Sequence, residues 1–324
     1  MSSISLNGLL NNTVTNNISS LRAQIEARAE EATTGFHSDL VQHLNGRIDQ
    51  ALLGDQALKD NAEDQARLGL RGIRLSLAET TLNSVRGLSE GLQIGMLNAI
   101  GTAETETQDL YATEARTALD DILSRLGARH GERFLFSGNA TATNPFADAD
   151  VLLDDIRAIA AGAVDEADFA TQVEFYFDDP TGGFQTNFYQ GAQSASDPDS
   201  VLANQQAFSD LFQGLAIMSL SHSSEGVPFA RGETPAMDQA LSRLERGRTA
   251  LVDIEAGIGF KQASIDDELT LLVREQTLLN QAFIDLAGKD QFEAAAQLRE
   301  LETNLEASYL LTSRLSNLSI LNFL

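Results

Sequence analysis

The sequence contains no cysteine. That removes disulfides, thiolate nucleophiles and cysteine-based zinc sites together. It has no tryptophan either, and only 6% of its residues are aromatic, which is lean for an enzyme built around a large apolar pocket. Basic residues are scarce: 22 Lys and Arg stand against 47 Asp and Glu, for a net charge of −25 over 324 residues. Such a chain repels phosphate backbones, and no segment clusters Lys and Arg as nucleic-acid binding requires. No basic amphipathic stripe marks a membrane-surface helix. No apolar run approaches the ~20 residues needed to span a bilayer. The first basic residue is Arg22, after a stretch rich in Asn, Ser and Thr, so no cleavable secretory signal is read at the N-terminus.

Proline is rare and unevenly placed. All five prolines (Pro145, Pro180, Pro198, Pro228 and Pro235) fall within one 91-residue window, and both flanks have none. Because proline breaks helix interiors, this predicts helical arms around an inserted domain. Composition shifts at the same place. Residues 139–230 hold 14 acidic residues, one basic residue (Arg157) and 11 of the 20 aromatics.

The flanks are rich in apolar residues at helical spacing. Ala66, Leu70, Ile73, Leu77, Thr81, Val85, Leu88, Leu92 and Met96 predict one helix over about 49–100, roughly 75 Å long. Ala115, Leu119, Ile122 and Leu126 predict a second, after a break at Gly101–Thr107. A third spans about 235–287, with Leu241, Leu244, Leu251, Ile254, Leu269, Leu272, Leu279, Phe283 and Leu286. Gly257-Ile258-Gly259 predicts a local irregularity in it. At each end lies a further stripe: Val14, Ile18, Leu21 and Ile25, and then Leu298, Leu301, Leu305, Leu315, Leu318 and Leu321. The C-terminal stripe slips in phase at Gly288-Lys289-Asp290, where Asp290 can cap a new helix and Glu293 can complete a capping box. A matching break falls at Thr33-Thr34-Gly35. In the middle, Val173–Phe177 and Phe184–Tyr189 flank the turn sequence Asp178–Gly183 and predict a β-hairpin near 173–189, with helices near 150–161 and 201–221.

The expected fold is therefore mainly α: a long helical rod with an inserted α+β domain and paired N- and C-terminal helices. The expected division is 1–35 with 288–324 as terminal helices, 36–138 with 235–287 as rod, and 139–234 as the inserted domain.

Chemistry is hard to assemble from these residues. Four histidines occur (His37, His43, His130 and His222), and the six-residue spacing of His37 and His43 is not the i, i+4 spacing of a zinc pair. Ser137-Gly138 lacks the first glycine of a nucleophile elbow, because Leu135 stands there. Gly288-Lys289 has no glycine-rich loop before it. Gly257-x-Gly259 is followed by Gln262 where a dinucleotide motif needs a third glycine. Asp148, Asp150, Asp154 and Asp155 lack the spacing, glycine and terminal Glu of a calcium loop. No catalytic, cofactor or metal site is read, and the chain is not expected to be an enzyme. Two terminal helices alone are marginal and expose an apolar face, which marks a surface for other subunits. A chain that runs out, builds a middle domain and returns its ends as an antiparallel pair is suited to polymerise by those ends.

Particular residues then resemble the flagellin family. Gln291-Phe292-Glu293-Ala294-Ala295, Leu301 through Tyr309, and Leu318-Ser319-Ile320-Leu321-Asn322-Phe323-Leu324 are similar to its terminal helix. The Leu-Asn-aromatic-Leu ending and Arg133-Phe134-Leu135-Phe136-Ser137-Gly138 resemble its hook–filament junction branch, and Glu31-Ala32-Thr33-Thr34-Gly35 resembles the turn that ends its first helix. After Gly35 the chain departs from the family pattern, reading Phe36-His37-Ser38-Asp39-Leu40-Val41 where a basic residue and an Asn-Ser-Ala-like stretch are usual. The resemblance implies a structural adaptor of the bacterial flagellum, exported unfolded through the type III channel to the extracellular junction of hook and filament. It implies terminal helices that form an inner coiled-coil layer on assembly, so Val14, Ile18, Leu21, Ile25, Leu298, Leu301, Leu305, Leu315, Leu318 and Leu321 are the expected interface. Implied partners are copies of the same chain, the first hook-associated protein, flagellin and a cytoplasmic export chaperone. A filament flagellin of the same family, and an unrelated binding module on a helical stalk, are the alternatives.

Overall fold

The computed structural model describes residues 6–321, and the side chains of residue 13 and of residues 15–314. The fold is mainly α. In chain order it comprises α1 (Leu6–Thr34), α2 (Leu40–Leu44), α3 (Ile48–Leu88), α4 (Leu92–Thr102), α5 (Thr105–Leu126), strands β1 (Arg129–His130) and β2 (Arg133–Phe134), α6 (Ala149–Gly162), α7 (Glu166–Asp178), α8 (Gln206–Leu220), α9 (Pro235–Ala287) and α10 (Gln291–Leu321). The chain forms two compact units, Met1–Ala66 with Leu269–Leu324 and Arg67–Glu268, so α3 and α9 contribute residues to both.

In the unit of residues 67–268, α8 is the core. Every residue from Ala207 to Leu220 is buried, because α5, α6 and α7 pack on it and α9 crosses it at glycine contacts. Gly214 of α8 faces Leu244 and Ala240, and Gly247 of α9 faces the backbone of Leu211 and Ala207. Phe146, Phe184, Phe188 and Phe212 cluster beside this crossing, with ring centroids 4.8–6.3 Å apart. One buried cation ties three elements. Arg243 of α9 donates to Asp178 at 2.5 and 2.6 Å and to Asp210 of α8 at 3.0 Å.

The predicted β-hairpin near 173–189 is not formed. Residues 166–178 are α7, begun by Asp165, whose carboxylate accepts from Asp168 N. Residues 184–188 form one π-helical turn. Val173-Glu174-Phe175-Tyr176-Phe177 has strand-forming residues, but Phe169, Ala170, Val173, Tyr176 and Phe177 are the ones buried, and their spacing is helical. Tertiary burial overrides β-propensity here. The strands that do form, β1 and β2, make a two-stranded antiparallel ribbon with Arg129 opposite Phe134. The 133–138 segment singled out in the sequence leads from it into the core, where Phe136 and Ser137 are fully buried. Gly138 turns there with φ +59°, where a Cβ would meet Leu202 at 2.5 Å.

The helix predicted over 49–100 is two. α3 ends at Leu88, and Gly91 with φ +82° redirects the chain into α4. The predicted stripe holds in its second half, where Thr81, Val85, Leu92 and Met96 are buried, and fails in its first. Leu70 and Ile73 are 55% and 56% exposed, whereas Asn61, Leu68, Leu75, Leu82 and Ser89, seven residues apart, are buried with Ala78, Val85 and Leu92. That is the period of helices that pack along their length. α9 repeats it: Met237, Leu244, Leu251, Ile258 and Ile265 are buried at intervals of seven, and Leu272, Leu279 and Leu286 continue half-buried. The helix runs unbroken through Gly257-Ile258-Gly259, so the predicted irregularity is absent. Ile258 in that sequence holds a buried position of the repeat.

Within residues 67–268 the two helices meet through Gln262, which donates to Glu79 at 3.0 Å, and through Arg86, 3.5 Å from Glu255. Within the other unit Asn61 donates to Leu272 O at 3.1 Å and Gln65 to Gln276 at 3.2 Å. No helix among the described residues is long and apolar enough to cross a membrane.

Candidate functional site

The terminal pair is built by α1 and α10, which pack against each other. Their direction is antiparallel. Arg22 donates to Tyr309 Oη at 2.6 Å near one end, and Gly35 lies against Gln291 at the other. On α1, Ile18, Leu21, Ile25, Arg28 and Ala32 are half-buried, alternating in steps of three and four. On α10 the same steps place Ala294, Leu298, Leu301, Leu305, Ser308 and Thr312 on the covered face. Of the predicted interface residues, Ile18, Leu21, Ile25, Leu298, Leu301 and Leu305 thus sit half-buried on these two helices. Val14, Leu315, Leu318 and Leu321 have side chains outside the described ones.

A second apolar set on α10 lies outside the predicted interface. Phe292 is 90% exposed, Leu310 65% and Leu311 61%. They stand off the covered stripe of α10, so a search for a single period does not collect them; their signal is an apolar residue on the wrong phase.

Where the pair meets the neighbouring helices, two breaks face each other. α1 ends at Thr34, and Gly35 adopts φ +76°, a conformation that glycine reaches without strain. α9 ends at Ala287 and α10 begins at Gln291. Phe36 and Gly288 form an antiparallel bridge, in which His37 N donates to Ala287 O at 3.1 Å and Lys289 N to Gly35 O at 2.8 Å. Asp290 starts α10 by accepting from Phe292 N at 2.8 Å and Glu293 N at 3.2 Å. The Glu293 carboxylate instead meets Lys289, 2.8 Å away. Phe36 packs edge-on to Phe283, ring centroids 5.6 Å apart.

Glu31 lies under this bend and is 3% exposed. It pairs with Arg28 and accepts from Ser38 N and Ser38 Oγ, both at 3.3 Å. Burial works to raise its pKa, but the Ser38 and Arg28 hydrogen bonds outweigh it and hold the carboxyl below its usual value. The sequence reading set His37 and His43 aside because their six-residue spacing is not that of a zinc pair. The structure stacks their rings at 3.6 Å with 15° between planes. α2 brings this about: Asp39 caps it by accepting from Gln42 N at 2.9 Å, and one turn returns His43 over His37. Burial, then the neighbouring His43, lower the His37 pKa, with Glu31 opposing them. The described residues hold no group of three His, Cys, Asp or Glu arranged to bind a metal ion.

Comparison with known proteins bears on the same elements. Residues 237–324, which cover nearly all of α9 and α10, match the family model of the bacterial flagellin C-terminal helical region. Among solved structures, the chain is similar to a "putative flagellar hook-associated protein" from Vibrio parahaemolyticus. The two share 14% identity and a TM-score of 0.51, over 73% of this chain and 95% of that one. It is also similar to Bacillus cereus FlgL at 12% identity and a TM-score of 0.49, over 72% of this chain and 99% of that one. No curated protein matches the chain. The likeness to flagellin is therefore carried in sequence by α9 and α10, and over the wider chain the likeness is one of fold, to the Vibrio parahaemolyticus protein.

Proposed function

We propose that this protein is a structural subunit of the bacterial flagellum that acts as an adaptor between hook and filament and assembles by its terminal helices. The observation that carries this reading is the match of residues 237–324 to the flagellin C-terminal helical region. These residues supply one half of the antiparallel α1–α10 pair. A fold shared with a hook-associated protein supports it.

The physical basis is the terminal pair itself. Helices joined two by two bury only one stripe each, and Phe292, Leu310 and Leu311 remain exposed on α10. Apolar side chains held in water on a regular helix gain about 25 cal/mol for each Å² covered by another subunit. On this reading Val14, Ile18, Leu21, Ile25, Leu298, Leu301, Leu305, Leu315, Leu318 and Leu321 form the seam of the assembling element. Residues 139–234, acidic and rich in buried aromatics, face outward. Partners are further copies of the chain, the first hook-associated protein on one side and flagellin on the other, with a cytoplasmic chaperone holding the C-terminal helix before export. The subunit works outside the cell, after export through the flagellar type III channel. Its role is mechanical, and no reaction is assigned to it.

The test is immunogold electron microscopy of intact flagella with antibody raised against residues 139–234. A single band of label between hook and filament supports the adaptor. Label along the whole filament makes the chain a filament subunit and overturns the junction role.

A further inference from the structure

The His37–His43 stack lies against the tie that closes the bend at one end of the terminal pair. The residue whose ring is stacked is the residue whose backbone makes that tie. His37 N donates to Ala287 O at 3.1 Å, beside the Phe36–Gly288 bridge. A proton on His37 would lie on a half-buried ring stacked against a second imidazole whose ring centroid is 3.6 Å away, a setting that disfavours the charged form. The groups facing the stack do not relieve that. Arg28 and Glu31 approach from α1, Asp39 from the start of α2, and Lys289 from the bend, with Glu293 of α10 beyond it. Glu31 is the carboxylate nearest His37, 3.8 Å from Nδ1, but it already serves Arg28 and Ser38. Arg28 and Lys289 add positive charge to the neighbourhood.

We propose that the His37–His43 stack is a pH-operated latch, which holds residues 35–37 on 287–289 while His37 is neutral and releases them when it is charged. The movement follows from the geometry. A charged His37 ring leaves the stack, the His37 backbone moves with its side chain, and the Phe36–Gly288 bridge opens. The terminal pair is then free to change its angle at the bend.

The sign follows from the lowered His37 pKa. A histidine whose pKa is depressed in the closed state stabilises that state above its ordinary pKa of 6.5. The stabilisation is lost progressively as pH falls below that value towards the depressed one. For one linked proton, each pH unit within this window changes the closed-to-open ratio about tenfold. Glu31 does not confuse the window, because its carboxyl is held below an ordinary value of 4.5 and stays ionised throughout. The latch is a property of the bend, and it stands whatever the terminal pair docks against.

The experiment is hydrogen–deuterium exchange on the full chain at pH 7.5 and 5.5, corrected for intrinsic exchange, reading peptides that cover 35–38 and 286–290. The expected result is a loss of protection in both peptides at pH 5.5, about tenfold at most for one linked proton, with α8 (206–220) unchanged. His43→Phe keeps a stacking ring without a charge and is expected to keep the bend protected at pH 5.5. Undiminished protection of the wild type at pH 5.5 would overturn the proposal. So would an equal loss in His43→Phe, or a parallel loss in α8. Exposure of the bend in His43→Phe already at pH 7.5 would also overturn it, since the imidazole itself rather than its charge would then be closing the bend.

Discussion

A set of single alanines along α9 and α8 tests whether close packing or helix propensity governs the central unit. Gly247 and Gly257 lie ten residues apart in one unbroken helix, and neither has positive φ. In an exposed helix, Gly→Ala gains about 1 kcal/mol by propensity. At Gly257, and equally at Gly259, a Cβ meets nothing within 4 Å, so that gain should appear nearly whole. At Gly247 the new methyl would lie 2.7 Å from Leu211 N and 2.8 Å from Ala207 O. Both are backbone atoms of a helix buried on every side, and they cannot rotate away. Relieving such overlaps costs about 1–3 kcal/mol or somewhat more, so a net loss of about 1–2 kcal/mol remains after the propensity gain. Gly214→Ala probes the same crossing from α8, where the methyl would fall 2.7 Å from Leu244 Cβ and 2.9 Å from Ala240 O. Urea unfolding followed by far-ultraviolet circular dichroism reads the order. The expected midpoints run Gly257→Ala and Gly259→Ala at or above wild type, with Gly247→Ala and Gly214→Ala below it. If Gly247→Ala were as stable as Gly257→Ala, the two helices would not be held at the separation described, and α8 would not be the fixed core of this unit.

Arg243→Met should destabilise the same unit by about 3–5 kcal/mol. It strands Asp210, which is 4% exposed, with only Arg246 and Gln206 near it; a urea midpoint close to wild type would show that Arg246 takes over. Glu31→Gln should weaken the bend by about 1–3 kcal/mol, read as faster exchange of Ser38 and its neighbours at pH 7. Because the Glu31 pKa is lowered on folding, its contribution is complete above its ordinary value of 4.5 and is lost as pH falls further. Glu31→Gln should therefore flatten the acid limb of local stability below that pH. Leu305→Asp, placing a charge on the half-buried face of α10, should cost on the order of 2 kcal/mol in the terminal pair and abolish joining of hook to filament. Deletion of 290–324 should do the same while residues 67–268 keep their circular-dichroism signature. Normal filament attachment in either variant would count against the seam being an assembly element.

What could be read from the sequence, and what could not, follows from how many faces each helix covers. In α9 the residues Leu244, Leu251, Leu272, Leu279 and Leu286 stand out as one stripe because leucine recurs there at multiples of seven, and the structure buries or half-buries that stripe while Val252, Phe260, Leu271, Val273, Leu278 and Ile284 stay exposed on other faces. In α3 two stripes compete. Leu70 and Ile73 belong to one, and Leu68, Leu75 and Leu82 to the other. Periodicity finds both but does not say which one the chain itself covers. The structure covers the second, and of the first it leaves Leu70 and Ile73 exposed while burying Thr81 and Val85, so the two stripes converge on one covered face only towards the end of α3. The hairpin error has the opposite origin. Val173–Phe177 was judged by residue type over five positions, too short to show that Phe169, Ala170, Val173, Tyr176 and Phe177 share one helical face. The breaks at Gly35 and Gly288–Asp290 were visible, because a left-handed glycine and a capping aspartate are local chemistry. Their bridging was not, since residues 36 and 288 meet only once both arms have folded. The histidines mark the same limit. Six residues apart on an ideal helix they would point away from each other. The chain instead makes a short turn after Gly35, where it departs from the flagellin pattern, and that turn sets the two rings face to face against Glu31. The two stacked histidines thus fall in the stretch at which a family resemblance has least to say.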